Sequence, residues 1–198
     1  MKKQLVGMAA GVLLLGGVAN AVVIDFSDQT IGSKANNYTI GNIAFSDSNG
    51  LGLSVYDYGN QSHGQALAVN DDSDNSWLIM DFLQDVSFLS FEFGNDDPGW
   101  TNPGDKAWLT LFNDNAQVGQ VSVEMNRDDI MNQFISFSGV TFDQATFLYA
   151  ATGFTRGLIE IIDNISYTPA EVPEPATMLL FGSGLAGLAA MRRRKKAC

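Results

Sequence analysis

Between Val22 and Tyr167 the chain is written almost entirely in short runs that alternate apolar and polar residues, separated by clusters of Gly, Asn, Asp and Ser. A period of two is what a strand with one buried face requires. The candidate strands are Val22–Phe26, Ile40–Phe45, Leu51–Tyr56, Ala66–Val69, Trp77–Phe82, Val86–Phe93, Ala107–Asn113, Gln117–Glu124, Gln133–Ser138, Ala145–Ala151 and Leu158–Tyr167. In Val86–Phe93, Phe91 and Phe93 flank the polar Glu92, as one buried face demands. Asn113-Asp114-Asn115-Ala116 reads as a turn between two of these strands. Arg127–Asn132 is the one segment with helical character, a single turn at most. About ten short strands at a spacing of about 8–12 residues predict an all-β fold, an antiparallel β-sandwich of jelly-roll type.

Charge is distributed unevenly. Residues 22–171 hold four cations, Lys34, Lys106, Arg127 and Arg156, against 21 carboxylates, a formal charge of −17, whereas the whole chain carries −11. The missing cations sit in the two terminal segments. An acidic surface of this kind repels nucleic acid and anionic lipid, so a nucleic-acid partner is excluded. The roughly 150 residues of the body suffice for one domain with a real core. The sole cysteine is Cys198, the last residue. The body therefore has no disulfide, no cysteine-ligated metal and no thiol nucleophile.

The N-terminal segment, residues 1–21, reads as a cleaved signal peptide. Lys2-Lys3 precede the apolar run Leu5–Val18, and Ala19-Asn20-Ala21 forms an A-x-A cleavage site. At the other end, residues 172–198 hold three parts in order. Pro173 and Pro175 make Val172-Pro173-Glu174-Pro175 extended. Ala176–Met191 then runs sixteen residues without a charge, about 24 Å as a helix, a little short of the ~30 Å hydrocarbon core. Arg192, Arg193, Arg194, Lys195 and Lys196 follow; their long side chains snorkel, extend the span and orient the C-terminus to the cytoplasm. A transmembrane helix is thus expected over 176–191, with a basic block over 192–196. From these residues alone, a permanent tail anchor and a buried helix with a solvated basic end also stay open.

This order of parts resembles the PEP-CTERM sorting tail of Gram-negative bacterial surface proteins. The resemblance implies recognition at the inner membrane and processing by an exosortase, with Pro173, Glu174 and Pro175 as the sorting motif. Signal peptide and tail together would place residues 22–171 outside the cytoplasm. More loosely, Val69–Asp72, Phe93–Asp96 and Ile162–Ile165 are similar to patterns in the acidic β-rich ectodomains that precede such tails. That family is associated with extracellular polysaccharide.

Candidate ligand residues fall into two sets. Calcium takes six to eight hard oxygen ligands, and Asn70–Ser76 offers Asp71, Asp72 and Asp74 in a loop that is not an EF-hand. Asn95–Trp100 is a second acidic loop. Asp163 interrupts the most apolar strand, a pattern similar to the closing strand of jelly-roll carbohydrate-binding modules. That likeness implies a structural calcium shared with Asp25 or Asp28. Solvated turns and an outward-pointing Asp163 are the simpler readings. For sugar stacking, Trp100 in its Pro/Gly loop is the first candidate, followed by Tyr56 and Tyr58; Trp77 and Trp108 read as core. His63 is the only histidine, in a polar loop, and no nucleophile-elbow motif is present. The chain therefore reads as an exported, non-enzymatic surface or matrix protein that contacts exopolysaccharide. A secreted glycan-active enzyme on the same scaffold, or an adhesive protein without a defined ligand, are the alternatives.

Overall fold

The computed structural model describes residues 20–69, 76–151, 154–155 and 158–171. The expected signal peptide, transmembrane helix, PEP tripeptide and basic block, and the loop with Asp71, Asp72 and Asp74, lie outside the described residues. Among the described residues no helix is long and apolar enough to cross a membrane. Those from Ala19 to Ala170 belong to one compact unit.

Its strands are β1 (Val22–Ile24), β2 (Gly32–Lys34), β3 (Tyr38–Ile40), β4 (Ile43–Asp47), β5 (Leu53–Asp57), β6 (Gln65–Val69), β7 (Leu78–Gly94), β8 (Lys106–Asn113), β9 (Ala116–Glu124), β10 (Gln133–Ala151), β11 (Phe154–Thr155) and β12 (Ile161–Pro169). Every pairing is antiparallel. One lobe of the sandwich runs β3-β4-β7-β10-β8-β9, and the other runs β2-β5-β6-β12-β7-β10, with β1 beside β12. β7 and β10 belong to both. Leu78–Phe82 pairs with β4, whereas Val86–Gly94 pairs with β12. The strand turns the corner at Leu83-Gln84-Asp85, the only three consecutive exposed residues within it. β10 turns opposite, where its register with β7 shifts between Ser138 and Gln144 around Gly139, at φ 101°. Sequence reading splits each of these strands in two, because an exposed polar corner looks like a turn until cross-strand pairing bridges it.

The inner faces of both lobes form one core. Phe91 from the second lobe meets Phe147 from the first edge to face at 4.9 Å, and Phe93 and Tyr149 extend the cluster. Burying each such ring contributes about 1.5–3 kcal/mol. The alternation in Val86–Phe93 is as expected: Phe91 and Phe93 are buried while Glu92 is half-buried on the outer face. The β8–β9 hairpin closes on Asp114 and Asn115, both at positive φ (48° and 63°), the signature of a two-residue type I′ turn. Two expectations are corrected. Trp77 is 37% exposed rather than core, and Trp108 is half-buried, with the Lys106 ammonium 5.6 Å from its ring centroid. Arg127–Asn132 is not a helical turn, for a reason that lies in the loop it touches.

Candidate functional site

A single row of residues crosses the outer face of the second lobe. Tyr56 on β5 pairs with Ala66 on β6. Continuing the register Ile161–Ala68 and Ile162–Leu67 puts Ala66 opposite Asp163 on β12. Asp163 pairs with Glu92 on β7, and Glu92 with Phe134 on β10. All five face outward, since their neighbours Val55, Leu67, Ile162, Phe91 and Ile135 line the core. Four interstrand steps make the row ~19 Å long. Phe134 at one end is 66% exposed and Tyr56 at the other 42%.

The middle of the row is covered. Ala66, Ala68, Ile161 and Met131 form a small second apolar cluster on which Tyr58 packs. The Tyr58 hydroxyl shares a hydrogen bond with Ser54 Oγ at 2.8 Å, and its ring meets Tyr56 edge-on at 6.2 Å. Burial raises the Tyr58 pKa, with the Ser54 hydrogen bond opposing. Of the expected tyrosine pair, then, Tyr56 presents its ring to solvent and Tyr58 supports it.

Beside that ridge lies a polar group. His63 Nε2 is 3.3 Å from Glu92 Oε2, and Asn164 Nδ2 donates to the same oxygen at 2.8 Å. Asn164 can reach it because β12 bulges there, with Asn164 at φ 50°. Asp163 is 2% exposed and accepts the Asn164 N–H at 2.7 Å. Burial raises its pKa from the ordinary aspartate value; the Asn164 N–H and His63 oppose this, and Glu92 and Asp25 add to it. The segment bearing His63 is pinned by Gly94: a Cβ there would lie 2.5 Å from the Gln61 carbonyl oxygen.

Asp25 is therefore within electrostatic range of Asp163, as the sequence pattern implies. However, Asp25 Oδ1 is engaged by Ser27 Oγ at 2.7 Å, and Asp28 Oδ1 accepts from Gln29 Nε2 at 2.5 Å. Among the described residues no group of three or more His, Cys, Asp or Glu side chains is placed to hold a metal ion. Asp25, Asp28 and Asp163 as arranged do not fit a calcium ligand set.

Trp100 stands apart from the row, 63% exposed on the loop joining β7 to β8. That loop is clasped to the β9–β10 loop through Asp96, 1% exposed, whose carboxylate accepts the Arg127 N–H at 2.6 Å and the Asp129 N–H at 2.9 Å. Both donors are left-handed, at φ 61° and 59°. A right-handed helical turn needs negative φ at each residue, so the left-handed Arg127 and Asp129 that deliver these two N–H groups rule one out over Arg127–Asn132. Burial raises the Asp96 pKa, and those two N–H groups oppose it. The Arg127 guanidinium completes the clasp with bonds to Thr101 Oγ1 at 3.2 Å and Pro98 O at 3.0 Å. Gln61 Nε2 ties the clasp to the His63 segment through Asp129 Oδ1 at 2.6 Å.

Sequence reasoning missed Glu92, Phe134 and Asn164 and gave His63 no partner. Only strand register aligns them.

Residues 171–195 match the PEP-CTERM protein-sorting motif. The chain carries a PEP-CTERM sorting motif. That motif marks the chain for export to the cell envelope through an exosortase. No curated protein matches the chain. Among solved structures, it is similar to a DUF4465 family protein from Bacteroides caccae, at 13% identity, 76% of this chain, 100% of that chain and TM-score 0.45. It is also similar to the CBM22-1 xylan-binding domain of Paenibacillus barcinonensis Xyn10C, at 10% identity, 78% and 97% coverage and TM-score 0.47.

Proposed function

We propose that this protein is an exported, non-enzymatic surface or matrix protein, sorted through its PEP-CTERM motif, whose sandwich binds exopolysaccharide on the outer face of the second lobe. The motif at residues 171–195 carries the address. The binding half rests on one observation: two exposed aromatic rings, Tyr56 and Phe134, lie in one row with His63, Glu92 and Asn164 between them. Rings offer flat apolar faces to sugars, and the polar group offers donors and acceptors to hydroxyls. Trp100 is a separate aromatic platform.

The adjacent Glu92 and Asp163 invite the alternative of a glycan-active enzyme, because two neighbouring carboxyls, one of them with a raised pKa, suit acid/base chemistry. Against this, Asp163 is 2% exposed and already bonded to its own neighbour's N–H, so it does not reach a glycosidic oxygen.

The test is a pull-down of the purified protein on exopolysaccharide from the producing cells and on a panel of soluble glycans, with a reducing-end assay on the same samples. Tyr56→Ala and Phe134→Ala should each weaken binding about tenfold, ~1.4 kcal/mol, with no reducing ends released. Undiminished binding by both variants would sink this face; new reducing ends would sink the non-enzymatic reading. Replacing Pro173-Glu174-Pro175 by alanines should leave an unprocessed form in the membrane fraction. Wild-type processing of that variant removes the exosortase from the account.

A further inference from the structure

Two of the three tryptophans, Trp77 and Trp108, lie on one line across the first lobe. Leu148 on β10 pairs with Trp108 on β8, and Trp108 with Ser122 on β9. Continuing the register Phe147–Leu78 by one residue sets Trp77, at the entry to β7, opposite Leu148. All four face outward, because their neighbours Leu78, Phe147, Leu109 and Val121 line the core or pack against it. Two interstrand steps separate the tryptophans, ~9.5 Å, the span of a disaccharide.

The next row on the same face is Ile79, Thr146, Thr110 and Gln120. Gln120 Nε2 donates to Thr110 Oγ1 at 2.9 Å, which holds the amide along the row. Lys106, two residues before Trp108 on the same face, flanks that ring with its ammonium. Neither apolar cluster of the molecule includes Trp77, Trp108, Leu148 or Ile79. Trp77 is exposed and the other three are half-buried.

The residues of both rows carry no charge, in a body of −17. Charge returns only at the borders, with Asp81 beyond Ile79 and with Lys106 opposite Glu124. An uncharged face with two indoles on so acidic a protein marks an interaction site for an uncharged occupant. Its polar members argue against a protein partner, since serine is depleted at protein interfaces and serine and threonine are scarce among their hot spots. Indoles beside hydroxyl and amide groups suit the apolar faces and hydroxyls of a sugar chain.

We propose that the outer face of the first lobe is a second saccharide site, with Trp77 and Trp108 as its stacking rings, and that the protein bridges polysaccharide chains. The choice of ligand rests on the polysaccharide reading above; the site itself does not. The two lobes enclose one core, so their outer faces point apart and one molecule holds a chain on each. Loss of either face then costs avidity as well as contact.

In the full chain, Trp100→Phe leaves Trp77 and Trp108 as the only indoles. Titrated with exopolysaccharide from the producing cells, this protein should show about twofold less acrylamide quenching of its emission as the rings are covered. Added salt should leave that protection unchanged, because no charge enters the contact. The solution should also turn turbid as chains are bridged. Adding Tyr56→Ala and Phe134→Ala should abolish the turbidity and keep the protection. Trp77→Ala with Trp108→Ala should abolish the turbidity while the other face still retains the protein, about tenfold more weakly. Unchanged quenching overturns the second site, even where Tyr56 and Phe134 prove essential to retention. Protection by an envelope protein fraction in place of the polysaccharide overturns it too. Protection with retention and turbidity insensitive to Tyr56→Ala and Phe134→Ala would instead remove the second-lobe face, and the bridging with it.

Discussion

Replacing Asp96 by Asn isolates what the clasp contributes. The two residues are the same size, so packing around the buried side chain is preserved. Asp96 receives two backbone N–H groups, one on each oxygen, from Arg127 at 2.6 Å and Asp129 at 2.9 Å. An asparagine offers one acceptor oxygen and turns its NH2 toward the other donor. The variant loses one charge-assisted bond, worth about 1.5–3 kcal/mol, and leaves one N–H unmatched. Relief of the buried charge, evident in the raised Asp96 pKa, returns part of this. The net expectation is a loss of about 2 kcal/mol, which for a domain of this size lowers Tm by about 4–8 °C. Calorimetry measures it. Hydrogen exchange locates it: the Arg127 and Asp129 amides should exchange about thirtyfold faster, the same 2 kcal/mol at 1.36 per tenfold. Asp96→Ala, which removes both acceptors, should cost more than Asp96→Asn. A melt within a degree of wild type, with unchanged exchange at both amides, would refute the idea that Asp96 holds these loops.

Gly94→Ala places a methyl 2.5 Å from the Gln61 carbonyl oxygen and 3.1 Å from its carbon, backbone that must move. The cost should be about 1–3 kcal/mol by urea unfolding, with weaker glycan binding as the His63 segment shifts. Phe147→Ala removes the ring that contacts Phe91, Phe93 and Tyr149, and urea titration should show a loss of about 3–5 kcal/mol. Asp163→Asn tests pH dependence. With its folded pKa above the ordinary 3.8, the native state holds this proton more tightly than the unfolded chain. The stability linked to it is full at low pH and is lost as pH rises through the folded pKa. The Asn variant should therefore be more stable than wild type at neutral pH and should lose that part of the pH slope, read from Tm between pH 3 and 8.

What was legible in the sequence was whatever depends on near neighbours in the chain. Phe91 and Phe93 announce a buried face, and Asp114-Asn115 announces a tight hairpin, because period and turn chemistry act over a few residues. The corners at Leu83–Asp85 and Ser138–Phe142 were not legible, since exposed residues that continue a strand look like those that end it. Arg127 and Asp129 become left-handed because of Asp96, about thirty residues away, and no local propensity reports that. The candidate site is register-dependent: Tyr56, Asp163, Glu92 and Phe134 come from four strands and share a row only after pairing. Tyr58 looked equivalent to Tyr56, yet Ser54 and the Met131 cluster draw it down. Trp100 was readable as a loop residue from its Pro and Gly neighbours; the clasp that holds its loop was not.

The pairing of Val22 with Tyr167 has a geometric consequence. The first and last strands of the body leave the sandwich side by side, so both of its termini open at one pole. β12 starts at the other pole, where Ile161 pairs with Gly94, and its eight steps separate the two by ~26 Å. The loops that begin after Gly94 and end before Gln133 belong to that distal pole, and Trp100 and the Asp96 clasp go with them. Both ends of the body therefore lie at the pole opposite Trp100 and the Asp96 clasp.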